Sequence, residues 1–170
     1  MYAYCLFCET QRCKALSRMI PAYLMSLDPG YAPICYSPQI IQRKWIKGAM
    51  QEERHDWLPG YLFLYTANEI PKFKVPGLLR WLGNGVLQGS DLEFANILYE
   101  KQGVMGILRA AEIGDRVQVD DPAWAGLNGR ITKLDRNRKR CCVEFDFDGR
   151  TMSIWVGYDL VRTDETVHPA

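Results

Sequence analysis

The side chains in this sequence that are best suited to metal binding or catalysis are six cysteines and two histidines. Cys5, Cys8 and Cys13 cluster near the start of the chain and could bind zinc with Cys35 as a fourth ligand. A zinc ribbon repeats a C-x-x-C pair, however, and that doubled spacing is missing here. Buried, reduced thiols are the simpler interpretation, because free cysteine packs as a small hydrophobe. We therefore expect no metal site and no cofactor.

Other groups that could support catalysis lack suitable neighbours. His55 lies in a charged run, and Asp146 and Asp148 precede a glycine, as in many hairpin turns. The sequence contains no nucleophile elbow, dinucleotide fingerprint or phosphate loop. A cysteine enzyme using Cys8 or Cys13 would need a lowered thiol pKa and a nearby base, and no base is evident. The sequence thus predicts a protein that is not an enzyme.

Composition is typical of a folded soluble protein. The chain has 170 residues, a formal net charge of +1, 48% hydrophobic and 24% charged residues. No apolar stretch approaches the roughly 20 residues of a membrane-spanning helix. The first residues lack the basic and apolar regions of a signal peptide. We expect a cytoplasmic monomer with no membrane association.

The first half of the chain mixes helical and extended patterns. Apolar residues recur every three or four positions from Glu9 to Leu27, which predicts a helix that Pro21 interrupts. Ser90 and Glu93 have the spacing of a capping box. The predicted elements are a strand at 2–7, a helix at 9–27, a charged hairpin within 39–56, strands at 61–65 and 78–82, a partly helical segment at 68–74, and a helix at 91–102.

The segment from Asp56 to Tyr65, DWLPGYLFLY, carries a Pro-Gly turn signal directly before five large apolar residues. A half-exposed strand alternates apolar and polar residues, and this run does not. Both faces of the predicted strand must therefore leave water. One face of the strand can pack on helices of the protein itself. The other face requires a second covering element or a partner.

After residue 111 the composition favours short strands and tight turns. Five predicted strands in about 50 residues indicate a small antiparallel barrel. The fold class is therefore α+β. The predicted domains are an α+β domain at 1–103, a linker at 104–111, a β-barrel at 112–164 and a tail at 165–170.

Segments in both halves resemble a known family. The stretch from Glu112 to Ile131 resembles a KOW motif, and its characteristic positions are Gly114, Asp115, Trp124, Gly126 and Gly129. Leu58-Pro59-Gly60-Tyr61 and the segment from Val75 to Gly83 resemble strands of the NusG N-terminal domain. The chain is similar to the NusG family of transcription factors over about residues 2–163. Within that family it is most similar to specialised antiterminators of the LoaP type.

The resemblance implies a bacterial elongation and antitermination factor. Its fold would be an antiparallel sheet flanked by helices, followed by an SH3-like KOW barrel. An apolar depression would receive the clamp helices of RNA polymerase. Through this contact the protein would suppress pausing and promote terminator read-through. The polymerase-binding candidates are Leu58, Pro59, Gly60, Tyr61, Phe63, Leu79 and Trp81.

Further partners follow from the same resemblance. Non-template DNA or a nascent RNA hairpin would recruit the protein, and the candidate nucleic-acid contacts are Arg12, Lys14, Arg18, Arg43, Lys44 and Lys47. The KOW barrel would bind the termination factor Rho or a ribosomal small-subunit protein. A KOW motif also occurs in ribosomal proteins, so an RNA-binding protein of the translation apparatus is the alternative.

Overall fold

The computed structural model describes residues 1–114 and 116–161 of an α+β protein. The chain forms two compact units. The first contains residues 1–39 and 56–105, and the second contains residues 40–55 and the chain from 106 onward. No helix among the described residues is both long and apolar enough to cross a membrane.

The elements follow one another in a regular order. The strands are β1 (Tyr2–Cys8), β2 (Ile34–Tyr36), β3 (Gln39–Ile46), β4 (Ala49–Asp56), β5 (Tyr61–Thr66), β6 (Leu78–Val86), β7 (Val104–Met105), β8 (Leu108–Ile113), β9 (Arg116–Val119), β10 (Arg130–Asp135), β11 (Arg140–Phe147) and β12 (Arg150–Val161). The α-helices are α1 (Cys13–Leu27), α2 (Gly89–Glu100) and α3 (Pro122–Gly126), and short 3-10 turns cover Thr10–Arg12 and Pro29–Tyr31.

The first unit is built on a sheet with the strand order β2-β5-β1-β6. Every residue of β5 is buried, because the chain itself covers both faces of this strand. Leu62 and Leu64 pack in the cluster formed with the apolar side of α1. On the opposite face, the ring centroid of Phe63 lies 5.5 Å from that of Phe94, and the Tyr65 hydroxyl donates a 2.6 Å hydrogen bond to the Ala95 carbonyl of α2.

The sequence predicts a kink or a break at Pro21, and the break does not occur, because helix α1 runs through this residue without ending. A proline inside a helix costs about 3 kcal/mol, because it removes one hydrogen bond and clashes with the preceding turn. Leu16 and Ile20 before it and Leu24 after it are all buried in the core. Each such burial stabilises by about 1.5–3 kcal/mol, so packing on both sides of Pro21 offsets its cost.

Two other local predictions are wrong. Helix α2 follows Gln88 as its N-cap, no side chain caps it, and Ser90 lies inside its first turn. The capping box therefore does not form, although Asp91 still places a negative charge near the helix N-terminus. Residues 68–74 contain no helix.

The second unit contains a five-stranded sheet with the order β10-β11-β12-β8-β9. Strands β12 and β8 are parallel, and the other neighbours are antiparallel. The sequence pattern predicts separate strands at 151–155 and 159–161, whereas strand β12 is continuous over both. The sheet curls around buried Phe145, Phe147 and Trp124 into a nearly closed barrel.

The β3–β4 hairpin belongs to the second unit from residue 40 onward, although the sequence assigns it to the first domain. Lys47 and Gly48 at its tip both have positive φ, as a two-residue hairpin turn requires. The Gln42 side chain donates a 2.8 Å hydrogen bond to the Trp155 carbonyl of β12. The hairpin and the barrel-like sheet are thereby joined.

Candidate protein-docking and nucleic-acid surfaces

The Leu58–Phe63 stretch is core and turn, and it forms no open hollow. Leu58 and Phe63 are fully buried, and Tyr61 is only 9% exposed. The Tyr61 ring meets Phe7 edge-on at a centroid distance of 5.1 Å. Gly60 has φ +91°, and a Cβ there would lie 2.7 Å from the Phe7 ring. Among these candidates, only the Pro59 side chain is exposed.

The exposed apolar surface lies instead on edge strand β6. Leu79 is 58% exposed. It lies where the pairing register of β1 and β6 shifts between Phe7 and Cys8, so that it has no partner on β1. Such a bulge redirects a side chain away from the regular alternation of a strand. Leu79 consequently faces solvent although the neighbouring strand β1 contributes to the core.

Trp81 is half-buried on the same strand. Its indole N–H donates a 3.2 Å hydrogen bond to the Phe73 carbonyl, and its ring packs edge-on against Tyr4 and Phe73. A tryptophan held at both its polar and its apolar parts is a rigid surface feature. Trp81 and Leu79 are therefore the two polymerase-binding candidates on β6 with accessible apolar area.

A groove of about 660 Å3 runs beside these residues, and residues 72–81 line it. Its cationic side chains are Lys72, Lys74 and Arg80, and its lining contains no Asp or Glu. The Arg80 guanidinium lies 5.3 Å from the centroid of the Phe7 ring, within range of a cation–π contact. An apolar floor with a positive rim suits an amphipathic segment that carries acidic residues.

The candidate cations of α1 and of the 3-10 turn before it separate into two environments. Lys14 and Arg18 are exposed on the side of the helix away from the core. Arg12 is half-buried and packs beside Gly77, where an added Cβ would lie 2.9 Å from its Cδ. Lys14 and Arg18 can therefore contact phosphate without rearrangement, whereas Arg12 also fills space next to the groove.

Arg43 is held by contacts within the second unit. Its side chain is 14% exposed and forms ion pairs with Asp159 at 2.6 Å and with Glu52 at 3.2 Å. It also donates to the Tyr158 carbonyl. The hydrogen bond from Arg43 is the largest cause that lowers the pKa of Asp159 below its ordinary value. These contacts orient Arg43 toward β12 and away from solvent.

Lys44 and Lys47 remain at the exposed end of the hairpin. Lys44 forms a 2.8 Å ion pair with Glu53, and Lys47 occupies the turn. Between them, Trp45 is 59% exposed. Trp45 is not among the residues that the family resemblance implies for nucleic-acid binding. An exposed aromatic residue flanked by lysines was the available signal, since bases stack on such rings while cations contact phosphates.

The residues on which the resemblance to a KOW motif rests have structural roles. Trp124 is 1% exposed and packs edge-on against Phe145 at 6.0 Å. A Cβ at position 129 would lie 2.6 Å from the Trp124 carbonyl oxygen, so this site requires glycine. Gly114 has positive φ, and Gly126 ends α3. Asp115 lies outside the described residues, as does the tail at 165–170.

Within residues 1–114 and 116–161, no group of three or more His, Cys, Asp or Glu side chains is arranged to hold a metal ion. The Cys8 and Cys13 sulfur atoms lie 2.8 Å apart. Burial, followed by the hydrogen bond with Cys13, raises the pKa of Cys8 to about 12. Burial also raises the pKa of Cys35. These two thiols are protonated at neutral pH and are therefore weak nucleophiles.

No protein-family model matches the sequence, and no curated protein is significantly similar to it.

Proposed function

We propose that the protein is a transcription elongation and antitermination factor of the NusG type, closest to the specialised LoaP-type members. In this proposal it acts in the cytoplasm as a monomer and docks on the clamp helices of RNA polymerase. It suppresses pausing and promotes read-through of terminators. The proposal rests on the motif resemblance in both halves of the chain and on the apolar β6 surface.

The observation that carries the docking proposal is the exposure of Leu79 beside a basic groove. Leu79 is 58% exposed and lines one groove together with Trp81 and other apolar residues, and an apolar groove with a positive rim is a recognised binding site for an amphipathic segment. Trp81 next to it is rigid, and rigid aromatic residues dominate binding free energy at protein interfaces. The docking contact therefore moves from the Tyr61 strand to the edge of the same sheet.

Binding would act on pausing through a population shift. A factor that binds the active polymerase more tightly than the paused state changes their ratio by that difference in affinity. Each preference of about 1.4 kcal/mol changes the ratio tenfold. Burial of Leu79 and Trp81 in the active state alone would supply a preference of that order, because one buried apolar side chain contributes about 1.5–3 kcal/mol.

Recruitment would depend on nucleic acid at the hairpin tip. Trp45 offers a stacking surface to an unpaired base of non-template DNA or of an RNA loop, and Lys44 and Lys47 supply positive charge. Arg43 would support this surface by holding the hairpin and would not itself contact phosphate. Lys14 and Arg18 form a second exposed cationic site.

The decisive experiment replaces Leu79 with aspartate and measures co-purification with core RNA polymerase. We expect affinity to fall about five- to thirty-fold, because a hot-spot side chain contributes about 1–2 kcal/mol. Met25→Asp is the matched control, since Met25 is 47% exposed on α1 of the same unit. Equal losses for both variants, or no loss for Leu79→Asp, would contradict the docking site.

A transcription assay tests the activity itself. Read-through of a terminator in vitro should rise when the wild-type protein is added and should not rise with Leu79→Asp. A protein that co-sediments with ribosomes without polymerase, and leaves termination unchanged, would support the translation-apparatus alternative instead. That outcome would reject the transcription proposal as a whole.

A further inference from the structure

The barrel-like sheet of the second unit has an open seam between β9 and β10. These two strands are the ends of the five-stranded order, and no hydrogen-bonded ladder joins them. Each therefore leaves one edge of backbone N–H and C=O groups without a neighbouring strand among the described residues. A cleft of about 740 Å3 lies at this seam, lined by residues from β9, from the end of α3 and from β10.

The floor of the seam is apolar and only half covered. Val117 and Val119 of β9 and Ile131 and Leu134 of β10 line it, and all four are half-buried. Val143 on the interior strand β11 is completely buried by comparison. The seam thus exposes apolar side chains of the kind that the rest of the sheet hides from water.

The rim of the seam is positively charged. Arg116, Arg130, Lys133 and Arg136 line the cleft, and its described lining residues include no Asp or Glu. Glu144 lies 3.5 Å from Arg130 and Glu112 lies 2.9 Å from Arg136. Arg116 and Lys133 make no ion pair with a residue in the described part of the chain. The seam therefore carries an excess of positive charge that a partner can neutralise.

These features favour an extended peptide over RNA. Proteins that bind single-stranded RNA stack the bases on aromatic side chains, and no aromatic side chain lines this cleft. An unpaired strand edge offers main-chain hydrogen bonds to an incoming strand, and pockets for alternate side chains give selectivity. Strand β10 has six residues, a typical strand length that spans roughly 20 Å.

We propose that the seam between β9 and β10 binds an extended peptide segment of a partner protein, with apolar residues alternating with acidic ones. The peptide pairs its backbone with the free edge of β10. Its apolar side chains cover Val117, Ile131 and Leu134, and its carboxylates meet Arg116 and Lys133. This inference is independent of polymerase docking, since it concerns the other unit and uses none of the β6 residues.

The test uses the full-length protein and a fluorescein-labelled eight-residue peptide that alternates valine and glutamate. Fluorescence anisotropy should show saturable binding that weakens as salt concentration rises. A peptide of the same length that alternates valine and lysine should bind at least about tenfold more weakly, because it meets like charge at the rim. Equal affinity for the two peptides, or no binding of the glutamate peptide, would overturn the proposal.

Charge reversal locates the site. Arg116→Glu and Lys133→Glu should each reduce affinity about five- to tenfold, because each replaces an attraction with a repulsion. Both side chains are exposed, so the fold should persist, and thermal melts check this. Arg150→Glu is the matched control, because Arg150 is exposed in the same unit but does not line the cleft. An equal loss in the control would overturn the assignment.

Backbone pairing has its own test. Two further peptides carry N-methyl groups at alternate residues, one at the odd and one at the even positions. Only one set of N–H groups can face β10, so one methylated peptide should lose binding and the other should retain it. Retention by both would exclude strand addition, and tighter binding of a single-stranded RNA oligomer than of any peptide would replace the proposal with an RNA site.

Discussion

The two units enclose their cores in different ways, and the difference determines where each has surface available for partners. In the first unit, α1 and α2 cover both faces of the sheet, so that β5 is wholly buried. In the second unit, the sheet covers its core by curling, and the only helix among the described residues of this unit is the five-residue α3. A helix-covered sheet leaves free surface at its edge strand, here β6. A curled sheet leaves free surface between its two end strands, here β9 and β10, where no hydrogen-bonded ladder closes the barrel.

The largest effect should come from the aromatic residue at the centre of the curled sheet. Trp124→Ala removes a ring that is 1% exposed and should lower the free energy of unfolding by about 3–5 kcal/mol. Urea denaturation measures this loss, and hydrogen exchange should place it in β10–β12. Trp45→Ala is the matched control, because an exposed tryptophan should cost less than about 0.5 kcal/mol. Similar losses for the two variants would show that Trp124 is not a core residue.

A smaller effect tests how tightly the first unit is packed. Gly60→Ala places a Cβ 2.7 Å from Phe7 at φ +91°, whereas Gly83→Ala, at φ +58°, meets nothing within 4 Å. Both substitutions carry backbone strain, but only the first adds a clash, which should cost about 1–3 kcal/mol more. Thermal or urea denaturation of the two variants gives this difference. Equal destabilisation would mean that Phe7 can move aside freely.

The smallest effect concerns the ion pair that joins the hairpin to β12. Arg43 lowers the pKa of Asp159 in the folded state, so the pair stabilises the fold above the unfolded pKa of about 3.9. That contribution is lost as pH falls through the lowered folded value. Asp159 is largely exposed, so we expect only about 0.5–1 kcal/mol. Asp159→Asn should therefore cost this amount at pH 6 and progressively less as pH falls below about 3.9.

A double-mutant comparison separates the pair from its surroundings. The double variant Arg43→Gln/Asp159→Asn should lose less free energy of unfolding than the sum of the losses of the two single variants. Each single substitution already breaks the contact that the two side chains share. Strict additivity, measured by urea denaturation at pH 6, would show that the two side chains do not stabilise each other.

Local sequence signals predicted most strands because they depend on near neighbours. The Pro-Gly pair before Tyr61 forms the turn that it indicates, and the non-alternating run after it is buried on both faces. The sequence could not show that α2 covers the second face, since that requires contacts such as Tyr65 with Ala95. The hypothesis of an open hollow at Tyr61 depended on that missing contact.

Long-range geometry also decides the features that sequence reasoning missed. Leu79 is exposed because of a register shift between two strands that are distant in sequence, and no local pattern encodes it. The grouping of the hairpin with the second unit involves Arg43 and Asp159, which are 116 positions apart. The strand pattern predicted a barrel, but the open seam between β9 and β10 is a property of the assembled sheet.

The parallel pairing of β12 with β8 has a consequence for synthesis of the protein. Leu108 pairs with Tyr158, so β8, which is translated first in this sheet, can pair with β12 only after β12, the last strand, has been translated. At roughly 5–20 residues per second, β8 spends several seconds without this neighbour. During that interval its apolar residues are open to chaperones, and a stalled or truncated chain that ends before Tyr158 would expose them permanently to proteases.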